Sequence, residues 1–119
     1  MSIFIVAEIG INHNGSMSIC KELIDVAVDS GCDAVKFQKR DVNEVYTQEF
    51  LDSHRESPWG ATQREQKMGL EFDADEYQEI ESYCKKKNIE WFASAWDVNS
   101  QKFLRQFNSK YNKVASAMI

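Results

Sequence analysis

Long apolar runs, basic stripes and metal-ligand clusters are all scarce in this 119-residue chain, and each shortage removes a class of function. No stretch approaches the roughly 20 consecutive apolar residues that cross a bilayer. The N-terminal run Ile3-Phe4-Ile5-Val6-Ala7 is interrupted by Glu8 and carries no basic leader or small-residue cleavage site, so the expectation is a soluble cytoplasmic protein with no membrane contact. Fourteen basic residues against nineteen acidic ones leave a net charge of -5 without a basic stripe, which argues against nucleic acid as a partner. Cys20, Cys32 and Cys84 are odd in number and form no C-x-x-C pair, and the two histidines, His13 and His54, do not sit at metal-ligand spacing. The cysteines read as reduced thiols, with Cys20 and Cys84 at apolar positions of two amphipathic helices. What remains is ample for a folded domain, since 43% of the residues are hydrophobic and 12% aromatic.

The organisation is an alternation of strands and helices. Ile3 to Ala7 reads as a short strand buried on both faces, followed by a helix from Met17 in which Cys20, Leu23, Ile24, Ala27 and Val28 recur at helical spacing before Gly31. Asp33 to Gln38 predicts a second strand, residues 39–62 a long loop without a period, and Arg64 to Leu70 a short helix. Asp75 is placed to cap a further helix, with Tyr77, Ile80, Tyr83, Cys84 and Lys87 at helical intervals. Ile89 to Ser94 predicts the third strand, Ser100 to Phe107 a helix, and Lys113 to Ala117 the fourth strand. This spacing implies right-handed βαβ units and a parallel sheet, an α/β fold whose polar strand ends emerge on one side.

The densest chemistry lies in Ala7-Glu8-Ile9-Gly10-Ile11-Asn12-His13-Asn14-Gly15-Ser16. A carboxylate at the carboxyl end of a strand is where α/β proteins keep their sites, and the glycines, amides and Ser16 N-cap that follow suit a ligand-binding turn. On composition alone, a solvated strand-end charge and an ordinary turn explain the same residues. Pro58-Trp59-Gly60 is open in the same way between a lid element and a surface turn with a packed indole.

Taken with Ala34-Val35-Lys36-Phe37-Gln38, Pro58-Trp59-Gly60, Phe92-Ala93-Ser94-Ala95-Trp96-Asp97 and Lys113-Val114-Ala115-Ser116-Ala117, this segment resembles the N-acetylneuraminate (sialic acid) synthase family along the whole chain. The resemblance implies a TIM barrel that condenses phosphoenolpyruvate with an N-acylated amino sugar and releases phosphate. The product would be a nine-carbon 2-keto acid of sialic, legionaminic or pseudaminic type. It also implies a divalent metal, Mn²⁺ or Mg²⁺, and a homodimer closed by a small antifreeze-like domain that nothing in this chain matches. By the same resemblance Glu8 faces the acceptor sugar and the reacting carbons. Lys36 and Lys113 hold the carboxylate and phosphate of phosphoenolpyruvate, and Ser94 and Ser116 lie near that phosphate; Gln38 and His13 join as substrate-binding positions. Phosphoenolpyruvate is a compact trianion, for which ammonium groups and hydroxyls at strand ends are suited partners. Without the resemblance, Lys36 reads first as a charge snorkelling from a strand end, and a brace for its loop is open for His13.

Two departures bear on the acceptor. Ala95-Trp96 and Met118 stand where the best-known branch of the family has a Thr-Pro pair and a glutamate near the sugar. The Pro-Trp-Gly and Ser-Ala-Trp-Asp strings resemble a sister branch from bacterial surface and spore-coat polysaccharide pathways. A closed barrel needs on the order of 250 residues, so residues 1–119 are read as its N-terminal half, truncated after the fourth strand, with no metal ligand present. A fragment of a longer enzyme is favoured over a truncated gene product or a self-pairing half-barrel. Competing functions are an inactive remnant that binds phosphate ligands or a partner chain, and another phosphoenolpyruvate-dependent synthase of 3-deoxy sugar acids.

Overall fold

A computed structural model describes residues 3–107 and 109–115. Strands β1 (Val6–Glu8), β2 (Ala34–Lys39), β5 (Glu90–Ala95) and β6 (Lys113–Val114) form one parallel sheet in the order β1-β2-β5-β6. Each new strand joins beside its predecessor with no reversal of order, as in a barrel and unlike a doubly wound sheet. Helices α1 (Met17–Asp29), α5 (Ala74–Lys86) and α6 (Val98–Arg105) link these strands. The α/β class and the parallel sheet match the sequence expectation.

One face of the sheet is the core. Val35 and Phe37 of β2, with Trp91, Ala93 and Ala95 of β5, pack in one cluster with Cys20, Ile24 and Ala27 of α1 and Tyr77, Ile80 and Cys84 of α5. Phe37, Ile24, Tyr77 and Ile80 are essentially sealed from solvent, each burial contributing about 1.5–3 kcal/mol before the entropy of ordering is counted. Cys20 and Cys84 are core residues as expected, and burial pushes both thiols up to about 12, so they stay protonated.

Four local expectations need correction. Strand β1 occupies Val6–Glu8, and Ile3, Phe4, Ile5 and Val6 are exposed, because β1 is an edge strand with no described neighbour beyond it. The loop of residues 39–62 contains α2 (Val42–Val45), α3 (Gln48–Asp52) and a hairpin of β3 (His54–Ser57) and β4 (Gly60–Thr62), followed by α4 (Gln63–Leu70). These elements are too short to show a period, and side-chain caps at Thr47 and Thr62 start α3 and α4. Asp73, not Asp75, caps α5, in a reciprocal capping box with Glu76. Helix α6 starts earlier than expected, behind the cap of Asp97.

Candidate active site

In a parallel sheet, residues paired in register share a face and alternate residues change face. Glu8 pairs with Lys36, Lys36 with Phe92, Gln38 with Ser94, and Ser94 with Lys113. All six therefore lie on the face away from the helices, opposite Val35, Phe37, Trp91 and Ala93. On this face Ala34 precedes Lys36 and Gln38 on β2, and Glu90 and Phe92 precede Ser94 on β5. Phe4 and Tyr111, with ring centroids 5.0 Å apart, cover the apolar end, where Tyr111 also meets Phe92 at 5.6 Å. The carboxyl ends are left to charge and hydroxyl.

There Lys36 Nζ lies 2.6 Å from Glu8 Oε2, with the lysine side chain 18% and the glutamate 46% exposed. A charge-assisted contact between neighbouring strands orients both groups while leaving the carboxylate open to solvent. Ser94 is buried, Gln38 and Lys113 are half-buried, and the Tyr77 hydroxyl donates to the Gln38 carbonyl at 3.0 Å, tying this end of β2 to α5. Ser116 lies outside the described residues.

His13 is placed differently. Its ring stacks on Phe72 at 4.2 Å and sits 6.2 Å from Phe37, both part of the helix-side core, and its Nδ1 accepts the Gly15 N–H at 3.0 Å. Burial first, and the Arg40 guanidinium second, hold the imidazole down to about 4 from its ordinary 6.5. The ring is thus neutral near pH 7, and with Nδ1 accepting, its proton resides on Nε2. This geometry is that of a brace for the turn between β1 and α1.

The support of the site lies in charged residues that no sequence motif singles out. Arg40, directly after β2, is buried and donates from Nε to Glu71 Oε2 at 2.9 Å and from Nη1 to Tyr46 Oη at 3.0 Å, while its backbone N–H reaches Glu71 Oε1. Lys39 donates to the Phe72 carbonyl at 3.1 Å and lies 3.7 Å from Glu71. Asp97 accepts from the backbone of Asp41 at 2.8 Å and of Ser100 at 2.9 Å, capping α6 and pinning the chain as it leaves β2. The signal available was the charged run Lys39-Arg40-Asp41, two cations and a carboxylate at a strand end, for which no partner can be chosen without the fold.

A second concave region, of mixed lining, adjoins the turn. A cavity of about 680 Å³ is lined by Asn12 and Asn14 of that turn, Arg55, Glu56 and Trp59 of the hairpin, and Gln66 of α4. Among the described residues no group of three or more histidine, cysteine, aspartate or glutamate side chains is placed to hold a metal ion. No helix among them is long and apolar enough to cross a membrane.

Known proteins are similar to this chain in sequence and in fold. The chain is 39% identical over 117 residues to the N-acetylneuraminate-9-phosphate synthase of Drosophila melanogaster, a match covering 97% of this chain and 32% of that protein. It is 34% identical to the N,N'-diacetyllegionaminic acid synthase of Legionella pneumophila, with 100% of this chain and 34% of that protein covered. The crystal structure of an N-acetylneuraminic acid (sialic acid) synthetase from Leptospira borgpetersenii, in complex with citrate, superposes with a TM-score of 0.80 at 27% identity, covering 98% of this chain and 37% of that one. The chain therefore spans about a third of the length of the curated relatives it matches. The fold is α/β with a parallel sheet, like that of its TIM-barrel-like structural neighbours. The NeuB family model matches residues 23–119, and the chain belongs to the NeuB family.

Proposed function

We propose that these residues form the N-terminal half of an enzyme that condenses phosphoenolpyruvate with an N-acyl amino sugar, giving a nine-carbon 2-keto acid for surface polysaccharide synthesis. The observation that carries this reading is the register. Glu8, Lys36, Gln38, Ser94 and Lys113 fall on one face of four adjacent strands, with Glu8, Gln38 and Ser94 at or next to the carboxyl ends of β1, β2 and β5. Lys36 and Lys113 supply positive charge for the carboxylate and phosphate of phosphoenolpyruvate, and Ser94, with Ser116 by resemblance, supplies hydroxyls. In the reaction, C3 of phosphoenolpyruvate bonds to the aldehyde carbon of the sugar, water is consumed, and phosphate leaves.

Glu8, 2.6 Å from Lys36, has two tasks open to a carboxylate there. It fixes the ammonium group toward the anion, and its exposed oxygen orients sugar hydroxyls or accepts a proton from them. A divalent Mn²⁺ or Mg²⁺ belongs to the proposal, but the described residues do not form its site: His13 is engaged in bracing its turn and His54 is exposed on β3. Homodimer formation and a cytoplasmic location belong to the same proposal.

Phosphate release is the direct test, measured in the full-length gene product with phosphoenolpyruvate, Mn²⁺ and a panel of N-acyl amino sugars. Sugar-dependent release with a nine-carbon product by mass spectrometry is the expected result. An eight-carbon product from a pentose phosphate acceptor would instead place the protein among the 3-deoxy sugar acid synthases.

A further inference from the structure

Trp59 has a setting unlike that of the other two tryptophans. A Cβ built on Gly69 would fall 2.1, 2.3 and 2.5 Å from Cδ2, Cγ and Cε2 of its indole. Close approach to three atoms around the ring means that the indole lies flat on the bare Gly69 backbone. A Cβ on Gly15 would be 3.4 Å from Trp59 Cζ2, and the same Cβ would collide with the Gly69 carbonyl at 2.1 Å. Hairpin, α4 and the turn after β1 thus meet through two glycines and one ring.

The ring is held but not hidden. Trp59 remains 37% exposed, whereas Trp91 is buried, and its open part lines the cavity of about 680 Å³. Around it stand Asn12 and Asn14, Arg55 and Glu56, and Gln66, which is 8% exposed. Gln66 Oε1 accepts from Lys67 Nζ at 3.0 Å, which leaves its amide N–H groups without a hydrogen-bond partner among the described residues. A rigid apolar plate, bordered by Ile11, Pro58 and Leu70 on one hand and by these amides and charges on the other, complements a molecule with a hydrocarbon face and a rim of hydroxyl and amide groups.

We infer that Trp59, fixed by Gly69 and Gly15, is the stacking platform for the acceptor amino sugar, with Asn12, Asn14 and Gln66 bonding its polar rim. This rests on the proposed function and goes beyond it by assigning the acceptor side to the hairpin and the turn. Because the ring is pre-set by glycines, it binds without first being ordered.

The test separates the two substrates in the full-length gene product, with N-acetylmannosamine as the probe sugar. Trp59→Ala and Gly69→Ala should each raise the KM for the sugar by about tenfold or more while the KM for phosphoenolpyruvate stays within about twofold. Trp59→Phe should recover most of the loss. Alanine is a better helix former than glycine, so Gly69→Ala acts by displacing the indole and not by weakening α4. The double variant Gly69→Ala/Trp59→Ala should match Trp59→Ala alone, since the added methyl then has no ring to meet. An unchanged sugar KM in Trp59→Ala, equal rises in both KM values, or additive effects in the double variant would overturn the assignment.

A binding titration keeps this result distinct from the proposed function. Adding N-acetylmannosamine should change the tryptophan emission of the wild type and not of Trp59→Phe. Phosphate release without that Trp59-dependent signal overturns the platform and leaves the condensation standing. The signal without phosphate release does the reverse.

Discussion

The two faces of the central sheet are made by the same strands and follow opposite rules. On β2, Val35 and Phe37 lie fully buried against α1 and α5, while Lys36 between them reaches Glu8 across the other face. The helix-side residues are chosen for volume and the open-side residues for charge and hydrogen bonding. A single alternation of residue type therefore carries two separable messages, one about stability and one about chemistry.

That separation can be broken experimentally, and the largest effect belongs to the packed face. Phe37→Ala removes a sealed ring that touches Tyr77 and Trp91 edge-on and should cost about 3–5 kcal/mol, read as a lowered urea midpoint. Its neighbour should behave in the opposite way. Lys36→Ala should leave the midpoint nearly unchanged while raising the KM for phosphoenolpyruvate roughly 100-fold, the loss of a charge-assisted contact worth about 2–3 kcal/mol. A stable Phe37→Ala variant, or a Lys36→Ala variant with an unaltered KM, would collapse the distinction.

A smaller effect tests where His13 belongs. Its pKa is lowered to about 4 in the folded protein against 6.5 for the free side chain, so the folded state binds fewer protons across that interval. Its contribution is complete above about pH 6.5 and declines as pH falls toward about 4, with roughly 2 kcal/mol gone by about pH 5. Urea midpoints taken from pH 7 downward should show this slope, and His13→Asn should flatten it. A wild type with no such slope would return His13 to the open side of the comparison.

Much of this was legible in the sequence, for reasons that differ by residue. The α1 and β2 boundaries follow from period and from the Ser16 cap, which the structure shows accepting from the Ile19 N–H. The grouping of Glu8, Lys36, Gln38, Ser94 and Lys113 follows from strand ends and family motif, and the register supplies the common face. The hairpin was not legible, because β3 and β4 are four and three residues long and, among the described residues, pair with each other alone. Nor was the Arg40–Glu71 pair, whose members are separated by 31 positions and are charges of ordinary appearance until the fold buries them. His13 reads from sequence as a motif residue, and only the stacked Phe72 shows what its ring rests on.

The pairing of β1 with β2 also acts as a proofreader of the molecule's own assembly. A slip of β2 by one residue would drive Lys36 and Gln38 into the space held by Cys20, Ile24 and Tyr77, and turn Phe37 out to water. Misregistered chains would be too unstable to accumulate. Any copy that reaches the folded state therefore presents Glu8 and Lys36 side by side, and the quality of the site is inspected by the core before a substrate is ever met.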